Sequence, residues 1–159
     1  MQIYFVQHGQ ALSYQEDVEE GLSSEGKNTI YITAKTLKKW GVKLDRILCS
    51  TKKRSKQTGE IIAKTLEVAK IEETDNIKAM APLEKTLDFL FSLPFKENIL
   101  IAGHLPSIQK VVSYLLSSTE EIKIEIKNGG ITLIEIEELG QSQGKLKYHV
   151  LPELFVNIS

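Results

Sequence analysis

Apolar positions along this chain follow two alternating rhythms. Residues 2–7 (QIYFVQ), 46–50 (RILCS) and 98–104 (NILIAGH) are short runs of β-branched, aromatic and aliphatic side chains, which predict strands buried on both faces. Between them the spacing becomes helical. Residues 24–40 place Ile30, Ala34, Leu37 and Trp40 on one stripe, with Ser23 or Ser24 as N-cap and Gly41 as the stop. A second helix is predicted over 52–68, carrying Ile61, Ile62, Thr65 and Leu66. Residues 70–80 predict a short strand, 83–92 a short helix ended by Pro94, and 107–117 a helix following Pro106. The last third alternates with period two. There, 122–126 (IKIEI) and 131–138 (ITLIEIEE) around the NGG of 128–130 predict a hairpin, and 145–151 (KLKYHVL) one more strand.

Alternation of strand and helix predicts a largely parallel sheet with helices on both faces, and antiparallel strands near the C-terminus where the alternation stops. The expected fold is a single-domain three-layer α/β/α sandwich over residues 1–159, with no internal repeat, low-complexity segment or linker to divide it. With 42% apolar residues, 26% charged residues and a formal net charge of −1, a general affinity for nucleic acid or anionic membranes is not expected, so any anion site must be local. The single Cys49 rules out an internal disulfide and a cysteine metal cluster. Met1 leads straight into QIYFV, and no run approaches the ~20 apolar residues of a membrane span, so a cytoplasmic location is expected.

Candidate chemistry collects at strand ends. In a parallel sheet the C-terminal ends of the strands face one side, where loops build sites. His8 follows the first strand within VQHGQA (6–11), Ser50 and Arg54 follow the second, and His104 ends the third. Two histidines and an arginine at a common rim suit phosphate chemistry, because Arg binds oxyanions and a neutral imidazole can attack phosphorus. The second helix adds a separate sign: Lys52, Lys53, Arg54 and Lys56 crowd its first turns, where each suitably placed cation costs ~0.3–1 kcal/mol at low salt. A solvated basic face and an anion bound at the helix N-terminus both account for such a cluster.

Four segments occur in one order: HG at 8–9 after a strand, LSSEG at 22–26, S-x-x-x-R-x-x-Q-T at 50–58, and GHLP at 103–106 after an apolar strand. Together they resemble the histidine phosphatase superfamily (phosphoglycerate mutase-like), and within it the small SixA-like phosphohistidine phosphatases. The resemblance implies a metal-independent, two-step phosphatase that needs no cofactor. His8 would be the nucleophile forming a phosphohistidine intermediate, Arg54 would clamp the phosphoryl oxygens, and His104 would donate to a third oxygen. Gln7, Gly9, Ser50 and Lys53 are the flanking positions expected to bind substrate. The implied partner is a phosphorylated protein carrying phosphohistidine, or a small phosphorylated substrate.

The chain departs from the family's Arg-His-Gly signature by having Gln7 before His8 and Gly9. An arginine adds charge-assisted bonds worth about 1–2 kcal/mol over a neutral amide, and one donor lost from a transition state costs ~10²–10³ in rate. Lys53 or Lys52 could stand in, although neither shares the helical line of Arg54. Larger relatives protonate an alcohol leaving group with a carboxylate. Here the candidates for a general acid are Glu84 and Asp88. Imidazole leaves more readily than an alkoxide, and no long insertion offers a lid, so both points favour phosphohistidine on a protein. Two alternatives remain: a phosphate- or phosphoprotein-binding module with weakened or lost catalysis, and a small-molecule phosphomonoesterase. His149, in the last strand, matches no motif and is expected to be structural.

Overall fold

A strand whose two faces are both apolar belongs in the middle of a sheet. The first strand, β1 (Gln2–Gln7), is such a strand: Ile3, Tyr4, Phe5 and Val6 are all buried. The computed structural model describes residues 1–118 and 121–155. Their elements follow in the order β1, α1 (Ser24–Lys39), β2 (Arg46–Cys49), α2 (Lys53–Leu66), β3 (Ile71–Glu73), α3 (Leu83–Phe91), β4 (Asn98–Gly103), α4 (Ser107–Leu116), β5 (Ile131–Ile136) and β6 (Gly144–Val150). The described strands form one sheet in the order β3-β2-β4-β1-β5-β6. Pairing is parallel from β3 through β1, and antiparallel where β5 joins β1 and β6 joins β5.

Period-two alternation divides the core between the two faces. Tyr4 and Val6 of β1, with Ile47, Cys49, Leu100 and Ala102, pack against Ile30, Ala34 and Leu37 of α1 and Ile62 of α2. Ile3 and Phe5 pack with Leu48, Ile99 and Ile101 against Leu87 and Leu90 of α3 and Val111, Val112 and Leu115 of α4. The three-layer α/β/α arrangement is therefore as expected.

Two details at the end of β1 position the site. Ser23 is the N-cap of α1, accepting the Gly26 N–H at 2.9 Å, and Gly41 (φ 73) follows the helix in the left-handed region. At Gly26 the helix start meets the chain leaving β1 so closely that a Cβ would stand 2.1 Å from the Gln10 carbonyl oxygen. The Gly of LSSEG thus lets residues 8–10 lie directly on α1.

The C-terminal third corrects the expected hairpin. Residues 121–127 form no strand; β5 instead pairs with β6 beyond the turn that follows Ile136, with a register shift between Leu133 and Ile134. Both edges of β5 are used, by β1 and by β6, so no edge is left for 122–126. That segment is held by other means. Gln109 donates to the Ile122 carbonyl, the Ile122 N–H reaches Ser113 Oγ at 3.1 Å, and His149 Nε2 donates to the Glu125 carbonyl at 2.9 Å. The strand expected over 70–80 shrinks to Ile71–Glu73, followed by a 3₁₀ turn at Asp75–Ile77.

The contact at Gly26 predicts that Gly26→Ala destabilises the fold by about 1–3 kcal/mol, the usual cost of overpacking, in urea denaturation. A loss below about 0.5 kcal/mol, the ordinary scatter of surface substitutions, would contradict this account of the contact.

Candidate active site

His8 is pinned by its own backbone. Its N–H continues the β1–β4 ladder to the Gly103 carbonyl at 3.0 Å, its carbonyl accepts from Asn128 Nδ2 at 2.6 Å, and the next N–H, of Gly9, donates to Thr58 Oγ1 at 3.1 Å. The imidazole Nδ1 lies 2.7 Å from the Gly9 carbonyl oxygen. A carbonyl only accepts, so Nδ1 carries the ring proton and Nε2 keeps its lone pair. That lone pair faces Arg54, whose Nε–H donates to it at 3.2 Å. Burial holds the His8 pKa below its ordinary value, aided by the Arg54 charge and opposed by the Gly9 carbonyl and Glu20.

His104 comes to the same point from the end of β4. It is 2% exposed, and its ring stands edge-on to that of His8, with centroids 4.9 Å apart. Its Nε2 is 2.5 Å from Ser50 Oγ, an oxygen that accepts the Lys52 N–H at 3.3 Å. Ser55 ties this corner together, accepting from the Ser50 N–H at 2.8 Å and donating to the Ala102 carbonyl at 2.6 Å. Burial first, and then the fields of His8, Arg54 and Lys52, push the His104 pKa down to about 3. Both imidazoles are therefore neutral near pH 7.

The first turn of α2 begins at Lys52 with no side-chain cap and no acidic residue, as its sequence suggests. Its cations are met by carboxylates of the loop before α1 and of β3. Lys53 Nζ pairs with Asp17 at 3.0 Å and Glu19 at 3.1 Å, Arg54 Nη1 with Glu20 at 3.2 Å, and Lys56 with Glu73 at 2.7 Å.

The structure brings His8, Arg54, Ser50 and His104 to one corner and places the remaining expected residues unevenly around it. Gln7 ends β1 with its carbonyl accepting the Gly129 N–H at 2.9 Å, while its side-chain Oε1 is buried with no hydrogen-bond partner among the described residues. It lines a cavity of about 550 Å³ together with Gln10, Leu105 and Asn128. Gly9 lies against α1, where a Cβ would stand 2.7 Å from the Gly26 carbonyl oxygen. Lys53 turns toward Asp17 and Glu19, whereas the field of Lys52 reaches His104. Glu84 and Asp88 are exposed on α3, and none of the described contacts joins them to His8, Arg54 or His104. His149 lies opposite Thr132, bonded to its hydroxyl at 2.8 Å, and none of its described contacts reaches His8, Arg54 or His104. Among the described residues no group of three or more His, Cys, Asp or Glu side chains is placed to hold a metal ion.

Three contributors escaped the sequence reading. Thr58 lay inside the matched motif without an assigned task, and Asn128 was read as a turn residue. Glu20 had a visible signal, since the acidic run 16–20 is the natural counterpart of the basic run 52–56. A neutral imidazole lone pair, a guanidinium beside it and a second neutral imidazole make a corner fitted to receive a phosphoryl group.

The family model of the histidine phosphatase superfamily (branch 1) matches residues 3–82. Among solved structures, the chain is similar to the protein histidine phosphatase SixA complexed with tungstate, at 21% identity over 100% of both chains and a TM-score of 0.86. It is similar to SixA from Nakamurella multipartitia at 18% identity over 95% of each chain, with a TM-score of 0.79. A phosphoserine phosphatase mutant from Entamoeba histolytica in complex with phosphoserine matches at 14% identity, covering 96% of this chain and 98% of its own, with a TM-score of 0.72. No curated protein sequence matches the chain. No described helix is long and apolar enough to cross a membrane.

Because the His104 pKa is depressed to about 3, the folded chain keeps this ring neutral where an unfolded one protonates it, below about pH 6.5. Its contribution to stability is therefore present above that pH and lost as pH falls through the window. Proton NMR should find the His104 ring signals unchanged from about pH 8 to about pH 5, with those of His8 moving only below its ordinary value. Titration of His104 near pH 6.5 would contradict the buried, cation-flanked placement.

Proposed function

Since the chain belongs to the histidine phosphatase superfamily, we propose that it is a phosphatase that works through a phospho-His8 intermediate and takes phosphohistidine on a protein as substrate. The observation that carries this reading is the His8 ring, with Nδ1–H committed to the Gly9 carbonyl and the Nε2 lone pair turned to Arg54.

The phosphoryl group enters between Nε2 and the guanidinium. The Arg54 Nε–H then passes from the lone pair to a phosphoryl oxygen, as a charge-assisted bond. Nε2 attacks phosphorus as the bond to the leaving imidazole breaks, and that bond's electron pair returns to the leaving nitrogen. Positive charge develops on the His8 ring, where the Nδ1–H···O=C bond to Gly9 stabilises it. His104, neutral and held by Ser50, supplies an N–H to a further phosphoryl oxygen as charge shifts there. Water then attacks phosphorus, the electron pair of the breaking Nε2–P bond returns to Nε2, and the water's proton is lost to solvent as phosphate leaves. No step calls on Glu84, in keeping with a leaving imidazole that needs little help from an acid.

Tungstate, bound by the similar SixA protein, is a tetrahedral oxyanion of phosphate's shape, which supports a ligand of that shape for this chain. One observation favours the second reading, a phosphoprotein-binding module with slow turnover. Gln7 brings a neutral amide, with one end buried and unpartnered, to the position where the family carries arginine.

Rapid-quench labelling with ³²P-phosphohistidine protein should trap an acid-labile phosphoenzyme in the wild type. His8→Ala should form none and lose at least ~10³ in rate, while His149→Ala stays within about threefold of wild type. Equal losses in folded His8→Ala and His149→Ala would reverse the assignment.

Gln7→Arg should raise kcat/KM by about tenfold, through ~1–2 kcal/mol of added charge-assisted binding, and the gain should shrink at high salt. A brisk wild type that this change leaves unaltered would show that residue 7 does not limit the site.

A further inference from the structure

Arg54 is oriented from its far side by Glu20. A guanidinium is a rigid plane whose Nε–H and Nη2 share one edge, with Nη1 on the remaining side. In this chain the Nε–H points at His8 Nε2, and Nη1 pairs with Glu20 Oε2, each at 3.2 Å. None of the described contacts uses Nη2. The pair on Nη1 therefore leaves the two-donor edge turned toward the space in front of the nucleophile, the edge that binds two oxygens of a phosphoryl group.

The loop holds Glu20 from both sides. Asp17 accepts the Gly21 N–H at 2.9 Å and Lys53 Nζ at 3.0 Å, and Glu19 accepts from the same Nζ at 3.1 Å. On the other flank the Leu22 N–H donates to Gln57 Oε1 at 2.6 Å, so the loop is fastened to the helix that carries Arg54. Between these anchors Glu20 has a φ of 50°, in the left-handed region that L side chains seldom adopt. Such a conformation persists where surrounding contacts impose it, and it accumulates at functional sites.

We propose that Glu20 is a positioning residue of this phosphatase: paired with Nη1, its carboxylate holds the Arg54 guanidinium with the Nε–Nη2 edge toward the phosphoryl group. This rests on the phosphatase reading above. Glu20 touches no reacting atom. It acts on the rate through the geometry of Arg54, and its negative charge beside an anionic substrate gives nothing to ground-state binding. Removing it should therefore lower kcat and leave KM little changed or improved.

The test compares wild type, Glu20→Gly and Glu20→Gln on one phosphohistidine protein, with thermal unfolding of each as control. Glycine deletes the carboxylate and adopts the left-handed backbone without strain. Glutamine removes the charge and keeps an oxygen that can accept from Nη1. Expected is a fall in kcat of about tenfold or more for Glu20→Gly with KM within about threefold, and a kcat for Glu20→Gln within about threefold of wild type. A folded Glu20→Gly with kcat within about twofold of wild type would overturn the proposal. So would equal losses in the two variants, which would assign the effect to charge and not to orientation. A wild type that neither turns over nor forms phospho-His8 would overturn the phosphatase reading itself, and this proposal with it.

Discussion

The Arg54 Nε–H donates to His8 Nε2, and a bond of that kind exists only while the imidazole is neutral. Much of the sheet's C-terminal edge serves this constraint. The ring proton must sit on Nδ1, which requires an acceptor there, and the Gly9 carbonyl, on the chain leaving β1, supplies it. That segment in turn requires α1 to start against it without a side chain at Gly26. The second imidazole, packed edge-on to the first and buried, is kept neutral by its burial and the same cations. A neutral imidazole with its Nε2 lone pair turned to Arg54 is thus a consequence of how β1, α1, α2 and β4 meet.

Charge around the site is balanced at close range, in agreement with a formal net charge of only −1 for the whole chain. Cations in the first turn of α2 oppose the helix dipole, and carboxylates from the loop before α1 offset part of that cost. These partly exposed pairs contribute little stability each. Their effect is on geometry: they fasten a long loop to α2 and aim the arginine. With Gln7 neutral, Arg54 is the cation in direct contact with His8, and the fold concentrates its positioning contacts on that residue.

Much of this was legible in the chain before any coordinates. Apolar runs such as Ile3–Val6 and Ile99–Ala102 announce strands covered on both faces, and parallel topology then sends His8, Ser50 and His104 to one rim. The hairpin expected over 122–138 failed because alternation reveals which face a residue takes and not which strand it pairs with. Lys53, expected near the phosphoryl group, turned to Asp17 and Glu19, since a long cationic side chain goes to the nearest carboxylates the tertiary fold provides. Glu20 left only a coarse sign, an acidic run opposite a basic one, which does not say which carboxylate meets Arg54. Its role depends on a loop-to-helix approach that no local pattern encodes.

The central claim is that the free lone pair of His8 is on Nε2 because Nδ1 is committed to Gly9. ³¹P–¹⁵N correlation NMR of the phosphorylated protein, labelled with ¹⁵N at histidine, tests it directly. Phosphorus coupled to Nε2 of His8 is the predicted result. Coupling to Nδ1, or a phosphate carried on any other histidine, would contradict the account.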